Sequence, residues 1–134
     1  MSEARVEKVY ANRRDARAYI EQAKTFQADA DADLSGESRS VLLHNAVISA
    51  ADAILQAVGL RVSGAERAHQ LRIETALAQL PDETDDLLDR LEASRSRRNE
   101  ASYAAMLVPQ VSIEEAREAT AELIALATEF VGAD

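Results

Sequence analysis

Apolar residues recur along this chain at intervals of three and four, the spacing of an α-helix that buries one face. The first such stretch covers residues 3–30 and has an imperfect apolar stripe, whereas the second, residues 37–58, is apolar around most of its circumference. Three further helices are predicted: residues 65–80, the segment from the acidic run after Pro81 to about Met106, and the segment from Ser112 to the residue before Gly132. The pattern therefore predicts five helices.

The segments between these helices are short, and their residues are typical of helix ends. Gly59 stands where a left-handed residue commonly closes a helix, with residues 60–64 as the connection that follows. Ser112, with Glu115 three residues later, has the pattern of a capping box. The chain has only two prolines and four glycines, and few of the residues that favour strands. We therefore predict a single all-α domain over residues 1–134, built as a five-helix up-and-down bundle.

The second predicted helix carries three stripes along its length. The core stripe consists of Leu43, Val47, Ile54 and Val58. The ridge of small residues consists of Ala46, Ala50, Ala53 and Ala57, and the polar stripe consists of Asn45, Ser49, Asp52 and Gln56. A helix with so little polar surface is expected to be central in its domain. Its polar stripe faces either solvent or a cleft, and Asp52 is the residue there that can pair with an arginine or orient a histidine.

An arginine interrupts the apolar face of the fourth predicted helix. Arg98 shares that face with Leu87, Leu91, Ala101 and Ala105. Charged residues at positions patterned for apolar ones are typical of functional sites and interfaces, although a long stem can also carry the guanidinium to a carboxylate at the edge of the face. Together with the alanine ridge of the second helix, this face offers a close-packing surface from which we predict a homodimer.

Basic residues gather in two places, although the net charge is −9. Such a charge argues against nucleic-acid binding over the whole surface, because Lys and Arg supply most non-specific affinity for phosphate. The first cluster lies early in the first helix, where cations oppose the helix dipole, and the second lies in the fourth helix. We predict that both clusters bound one groove. The first cluster consists of Arg5, Lys8, Arg13, Arg14 and Arg17, and the second consists of Arg90, Arg95, Arg97 and Arg98.

Several kinds of chemistry have no support in the sequence. Cysteine is absent, which excludes disulfides and thiolate metal sites and suits a reducing compartment. The two histidines, His44 and His69, stand at no metal-binding spacing, and phosphate-binding glycine loops are missing. We therefore expect no metal and no cofactor. Because no apolar stretch approaches the length of a membrane span, we also expect a soluble, cytoplasmic protein without membrane contact.

One short motif resembles that of a known family. Arg98 and Asn99, with the ring-bearing Tyr103 five positions after the arginine, resemble the R-N-x-x-x-H motif of the HEPN superfamily. These are small all-helical domains of prokaryotic toxin–antitoxin, defence and RNA-processing systems. Residues 42–55 are similar to the alanine-rich second helix of those proteins, and the resemblance covers roughly residues 38–131. Tyr103 stands where the ribonuclease members have histidine.

The resemblance implies two alternative functions. In HEPN ribonucleases the motif arginine and histidine act on the RNA phosphodiester without a metal, with two copies facing each other across a homodimer. By that likeness the chain is a ribonuclease toxin or effector with Arg98, Asn99 and Tyr103 at its site. The helix pattern and the basic cluster add Asp52, Arg95 and His44 as candidate supporting residues. Tyrosine titrates near 10 and is a weak general base. The alternative is a non-catalytic dimeric module that binds an antitoxin or other protein, an RNA or a nucleotide.

Overall fold

The computed structural model describes residues 3–32, 35–64, 68–104 and 110–132, with side chains except at positions 36–37, 95–104 and 110–112. Within these ranges the chain forms five helices and one two-stranded antiparallel sheet. The mostly helical character predicted from the sequence is confirmed. In chain order the elements are β1 (Arg5–Lys8), α1 (Arg13–Ala30), α2 (Gly36–Val58), β2 (Leu60–Ser63), α3 (Ala68–Ala78), α4 (Asp85–Ala104) and α5 (Gln110–Val131).

The predicted start of the first helix at residue 3 is wrong, because residues 5–8 form a strand instead. β1 pairs with β2 in a register that sets Val6 opposite Val62 and Glu7 opposite Arg61. The helix begins only after Asn12, whose side chain accepts a hydrogen bond of 3.0 Å from the backbone N–H of Asp15. The connection predicted at residues 60–64 is therefore mostly the second strand of this sheet.

Two other helix boundaries differ from the prediction. α3 ends at Ala78, two residues earlier than expected, and its predicted first residues, 65–67, lie outside the described part. α5 begins at Gln110, so Ser112 is inside the helix and is not its cap. The predicted end of the fourth helix, Met106, also lies outside the described residues.

α2 is the central helix, as its apolar circumference predicts, and it packs against α1, α3 and α5. Most of its alanine ridge is buried within the chain: Ala46, Ala50 and Ala53 have no exposed surface, and Ala57 is partly buried. The ridge is therefore used for packing within one chain, and it does not supply the dimer surface predicted for it. Val58 differs from the rest of its predicted core stripe, since 36% of it remains exposed.

The contacts at the helix ends show how the helices run relative to one another. Asp31 at the end of α1 pairs with Arg117 near the start of α5, at 2.6 Å between Nε and Oδ1. At the other end, a Cβ on Gly132 after α5 would lie 3.9 Å from Nη1 of Arg13. α1 and α5 are therefore antiparallel. α4 also runs antiparallel to α5, because Arg90 pairs with Glu122 whereas later α4 residues meet earlier α5 residues.

Residues 38–58, almost the whole of α2, have the length and composition of a membrane span, with a mean hydropathy of 1.5. The expectation that no apolar stretch approaches this length is therefore wrong. Half of the stretch is buried in the bundle. A buried central helix of a helical domain has the same composition, so the packing of α2 accounts for its hydropathy.

Candidate functional site

The predicted apolar face of the fourth helix lies against the core. Leu87 and Leu91 of α4 are 3% and 4% exposed, and the helix continues without interruption through residue 104. Arg98, which the sequence places on the same face, follows Leu91 after about two helical turns. The side chains of Arg95, Arg98, Asn99 and Tyr103 lie outside the described part of the chain, so their contacts remain predictions.

A cavity of about 30 Å³ lies where α2, α4 and α5 meet, immediately before the motif. It can hold about two water molecules, because each needs roughly 10–15 Å³. Its polar lining comes from three helices and consists of Ser40, His44, Ser94 and Thr120. Apolar residues, among them Leu43 and Leu91, complete the wall. Ser94 is one helical turn before Arg98. The structure thus brings His44 close to the part of α4 that carries the motif.

The second histidine lies beside the first. The ring centroids of His44 on α2 and His69 on α3 are 5.3 Å apart, and their planes are inclined by 41°. Sequence reasoning left both histidines unplaced, because they belong to helices whose crossing is set by tertiary packing. Ser40, Ser94 and Thr120 were not singled out at all, since isolated hydroxyl residues on helices carry no distinctive spacing.

Asp52 lies about two turns further along α2 than His44, roughly 12 Å at the rise of an α-helix. Its Oδ1 is 2.8 Å from Nε of Arg72 on α3, so Asp52 does pair with an arginine, as its place in the polar stripe suggested. Burial raises the pKa of the Asp52 carboxyl in spite of the attraction of Arg72. The pair borders an open polar pocket of about 170 Å³, which is separate from the cavity next to the motif.

The start of α1, with Arg13, and the later part of α4, which carries Arg95 and Arg98, lie towards opposite ends of the bundle, so the prediction that the two clusters bound one groove is wrong. Arg13 lies near Gly132, at the end of α5. Ser94, directly before the second cluster, shares a cavity with Ala116, near the start of α5. Because α1 and α4 both run antiparallel to α5, the first half of α1 is level with the first half of α4.

One arginine of the second cluster is already neutralised by carboxylates. Arg90 donates a hydrogen bond of 2.9 Å from Nε to Asp86, and its Nη2 contacts Glu122 at 2.5 Å. Burial tends to lower the pKa of Arg90, but its hydrogen bonds and charge attraction to Glu122 and Asp86 together raise it. The positive charge of Arg90 is therefore already balanced within the chain.

Comparison with protein-family models, with curated proteins and with solved structures finds no match to this chain. Among the described residues, no group of three or more histidine or acidic side chains is arranged to hold a metal ion.

Proposed function

We propose that this protein is a HEPN-like, metal-independent endoribonuclease, acting as the toxin or effector of a cytoplasmic toxin–antitoxin or defence pair. One observation carries the proposal: His44 and Ser94 line the same cavity, and Ser94 lies one helical turn before Arg98. An imidazole can accept and donate a proton, and histidine is the commonest general acid or base in enzymes. We therefore assign to His44 the proton transfer that a tyrosine at position 103 would supply poorly.

Metal-free cleavage of RNA needs two proton transfers and one cation. A general base takes the proton of the 2′-hydroxyl as its oxygen attacks phosphorus, and a general acid protonates the departing 5′-oxygen. The negative charge that grows on the phosphate is stabilised by a positioned cation. We assign the cation to Arg98 and the proton transfers to His44 and its neighbour His69. Asn99 and the Tyr103 hydroxyl are assigned hydrogen bonds to the substrate, and Arg95 a neighbouring phosphate.

A homodimer is part of the proposal. Arg98 and Tyr103 are five residues apart and so lie about 140° apart around the helix. They suit the edge of a helix that meets its symmetry mate better than one narrow face. With the alanine ridge buried inside the protomer, the dimer surface is assigned to the later part of α4. An antitoxin or another protein partner would cover the same end of the bundle.

The test measures cleavage of single-stranded RNA in the presence of EDTA. Arg98→Ala should reduce the rate a hundredfold or more, because removing one preorganised electrostatic contact commonly costs that much. His44→Gln should reduce it similarly while keeping the side-chain volume. Arg90→Ala is the matched control, since Arg90 is held by Asp86 and Glu122. Equal losses in Arg98→Ala and Arg90→Ala would refute the assigned role of Arg98.

The alternative is a non-catalytic dimeric module that binds an antitoxin or other protein, an RNA or a nucleotide. The observation that favours it is Tyr103 in place of the motif histidine. Tyr103→His separates the two functions. If the wild type is inert and Tyr103→His cleaves RNA, the chain is a degenerate nuclease. If both are inert, and Arg98→Ala dissociates the dimer or a bound partner, the enzyme proposal fails and Arg98 is an interface residue.

A further inference from the structure

A groove between α1 and the end of α5 is much larger than the two pockets described above. Its volume is about 500 Å³, within the roughly 300–1,000 Å³ typical of pockets that bind small molecules. Ile20 and Val131 line it, together with the aliphatic parts of neighbouring charged side chains, and almost all of the surface that it exposes is apolar. The groove therefore has the size and the surface to hold an apolar ligand.

Arg17 is the lining residue whose polar group is left unsatisfied by burial. Its Nη1 atom is buried and makes no hydrogen bond to a described residue, and Arg17 forms no ion pair within the described part of the chain. The next charges along α1 balance each other, since Nζ of Lys24 lies 3.5 Å from Oε2 of Glu21. A buried guanidinium nitrogen without an acceptor is destabilised, so an acceptor supplied by a ligand would be bound there.

Glu129 also lines the groove and forms no ion pair with a described residue. It is exposed, so water satisfies its carboxylate, whereas Nη1 of Arg17 is shielded from water. A ligand therefore gains more by pairing with Arg17 than by pairing with Glu129, which favours an anion over a cation. Glu129 should nevertheless repel that anion, and this repulsion provides a test of the ligand's charge.

We propose that this groove binds a single-chain amphipathic carboxylate, the chemistry of a free fatty acid. Its carboxylate pairs with the Arg17 guanidinium, which commonly holds a carboxylate by two parallel hydrogen bonds. Its hydrocarbon chain lies against Ile20 and Val131 and extends towards Lys24, roughly 10 Å along α1 at the rise of an α-helix. The groove is at the end of α5, whereas Ser94 lies near its start. This site is therefore independent of the proposed RNA chemistry.

Isothermal titration calorimetry with sodium octanoate, on the full chain without RNA, tests the proposal. Octan-1-ol keeps the chain without the charge, octylamine reverses the charge, and butanoate keeps the carboxylate on a shorter chain. We expect saturable binding of one octanoate per chain. Octan-1-ol and octylamine should bind at least tenfold more weakly, because they lose a hydrogen bond between charged groups. Butanoate should also bind at least tenfold more weakly, since each buried methylene strengthens binding about fourfold.

Three results would each overturn the proposal. The first is equal or tighter binding of octan-1-ol or octylamine, which would remove the role of the positive charge. The second is equal binding of butanoate, which would remove the role of the apolar surface. The third is the absence of heat with octanoate at millimolar concentration.

Variants of the protein test the assigned contacts. Arg17→Gln should weaken octanoate binding at least tenfold and leave octan-1-ol binding unchanged. It strands no partner group, so the fold should survive, and circular dichroism checks this. Arg14→Gln is the matched control, because it removes the same charge from an exposed position of α1 outside the groove, where salt screens it. It should leave octanoate binding unchanged.

Glu129→Gln provides a second test that does not depend on a loss of binding. Removing the like charge should strengthen octanoate binding severalfold and leave octan-1-ol binding unchanged. A stronger affinity cannot come from a damaged fold. Unchanged octanoate binding in both Arg17→Gln and Glu129→Gln would refute the site.

Discussion

Gly59 joins α2 to the sheet in a conformation that only glycine adopts without strain. Its φ is +77°, in the left-handed region, where any other L-residue costs about 1–2 kcal/mol. A Cβ at this position would lie 2.5 Å from the carbonyl oxygen of Val9 and 3.1 Å from the backbone nitrogen of Ala11. Both neighbours are backbone atoms, so no flexible side chain can move aside.

Gly59→Ala should therefore cost more than its left-handed conformation alone. Relieving the clash requires residues 9–11 to move away, which breaks the 2.8 Å hydrogen bond from the Val9 N–H to the Gly59 carbonyl. A hydrogen bond of this kind contributes about 1 kcal/mol. With the conformational strain, the expected loss in the free energy of unfolding is about 2–3 kcal/mol. Urea denaturation followed by circular dichroism measures it.

Gly132→Ala provides the matched control. Gly132 has almost the same φ, +83°, but the nearest atom to its Cβ is Nη1 of Arg13 at 3.9 Å, which is ordinary contact with a flexible side chain. This variant should lose only the strain, about 1–2 kcal/mol. The difference between the two variants isolates the clash with the segment before α1. Equal losses would refute the close packing of residues 9–11 against Gly59.

Two further predictions follow from the ionic contacts and the later part of α4. Hydrogen bonds from Ser63, Arg61 and Arg5 lower the pKa of Glu7 from 4.5 to about 2. The stability that Glu7 contributes is therefore present above pH 4.5 and is lost as the pH falls towards 2, and Glu7→Gln should flatten the stability profile in that interval. A wild-type slope no steeper than that of the variant would contradict this origin. Sedimentation equilibrium at micromolar concentration should give twice the 14.6 kDa chain mass, and a clean monomer would remove the dimer from the proposed site.

The parts of the fold that local residues determine were predictable from the sequence. α2 begins one residue before its predicted start and ends at Val58 as predicted, because the helical period and the glycine after it are both signals within the segment. β1 was not predictable in the same way. Its four residues are a strand only because they pair with a segment more than fifty residues away, and a period-two pattern of that length is indistinguishable from part of a helix.

The residues of the candidate site were likewise predictable only where the signal lies within one segment of the sequence. The buried face of α4 follows from the spacing of its leucines, which is local. The proximity of His44, His69 and Ser94 depends on how three helices cross, and the sequence contains no pairing signal for such a crossing. The predicted meeting of the two basic clusters is wrong for a related reason: periodicity identifies the faces of two helices but does not give their relative direction.

The direction of α1 also accounts for an arrangement of charge that its own dipole disfavours. Arg13 and Arg14 occupy the first turn of α1, where cations are unfavourable, and Asp15 offsets them only in part. Because α5 runs the opposite way, its C-terminal carbonyl groups lie at the same end of the bundle, near Arg13. Cations are favourable there by about 0.3–1 kcal/mol each. Arg13 therefore has a structural role at the end of α5.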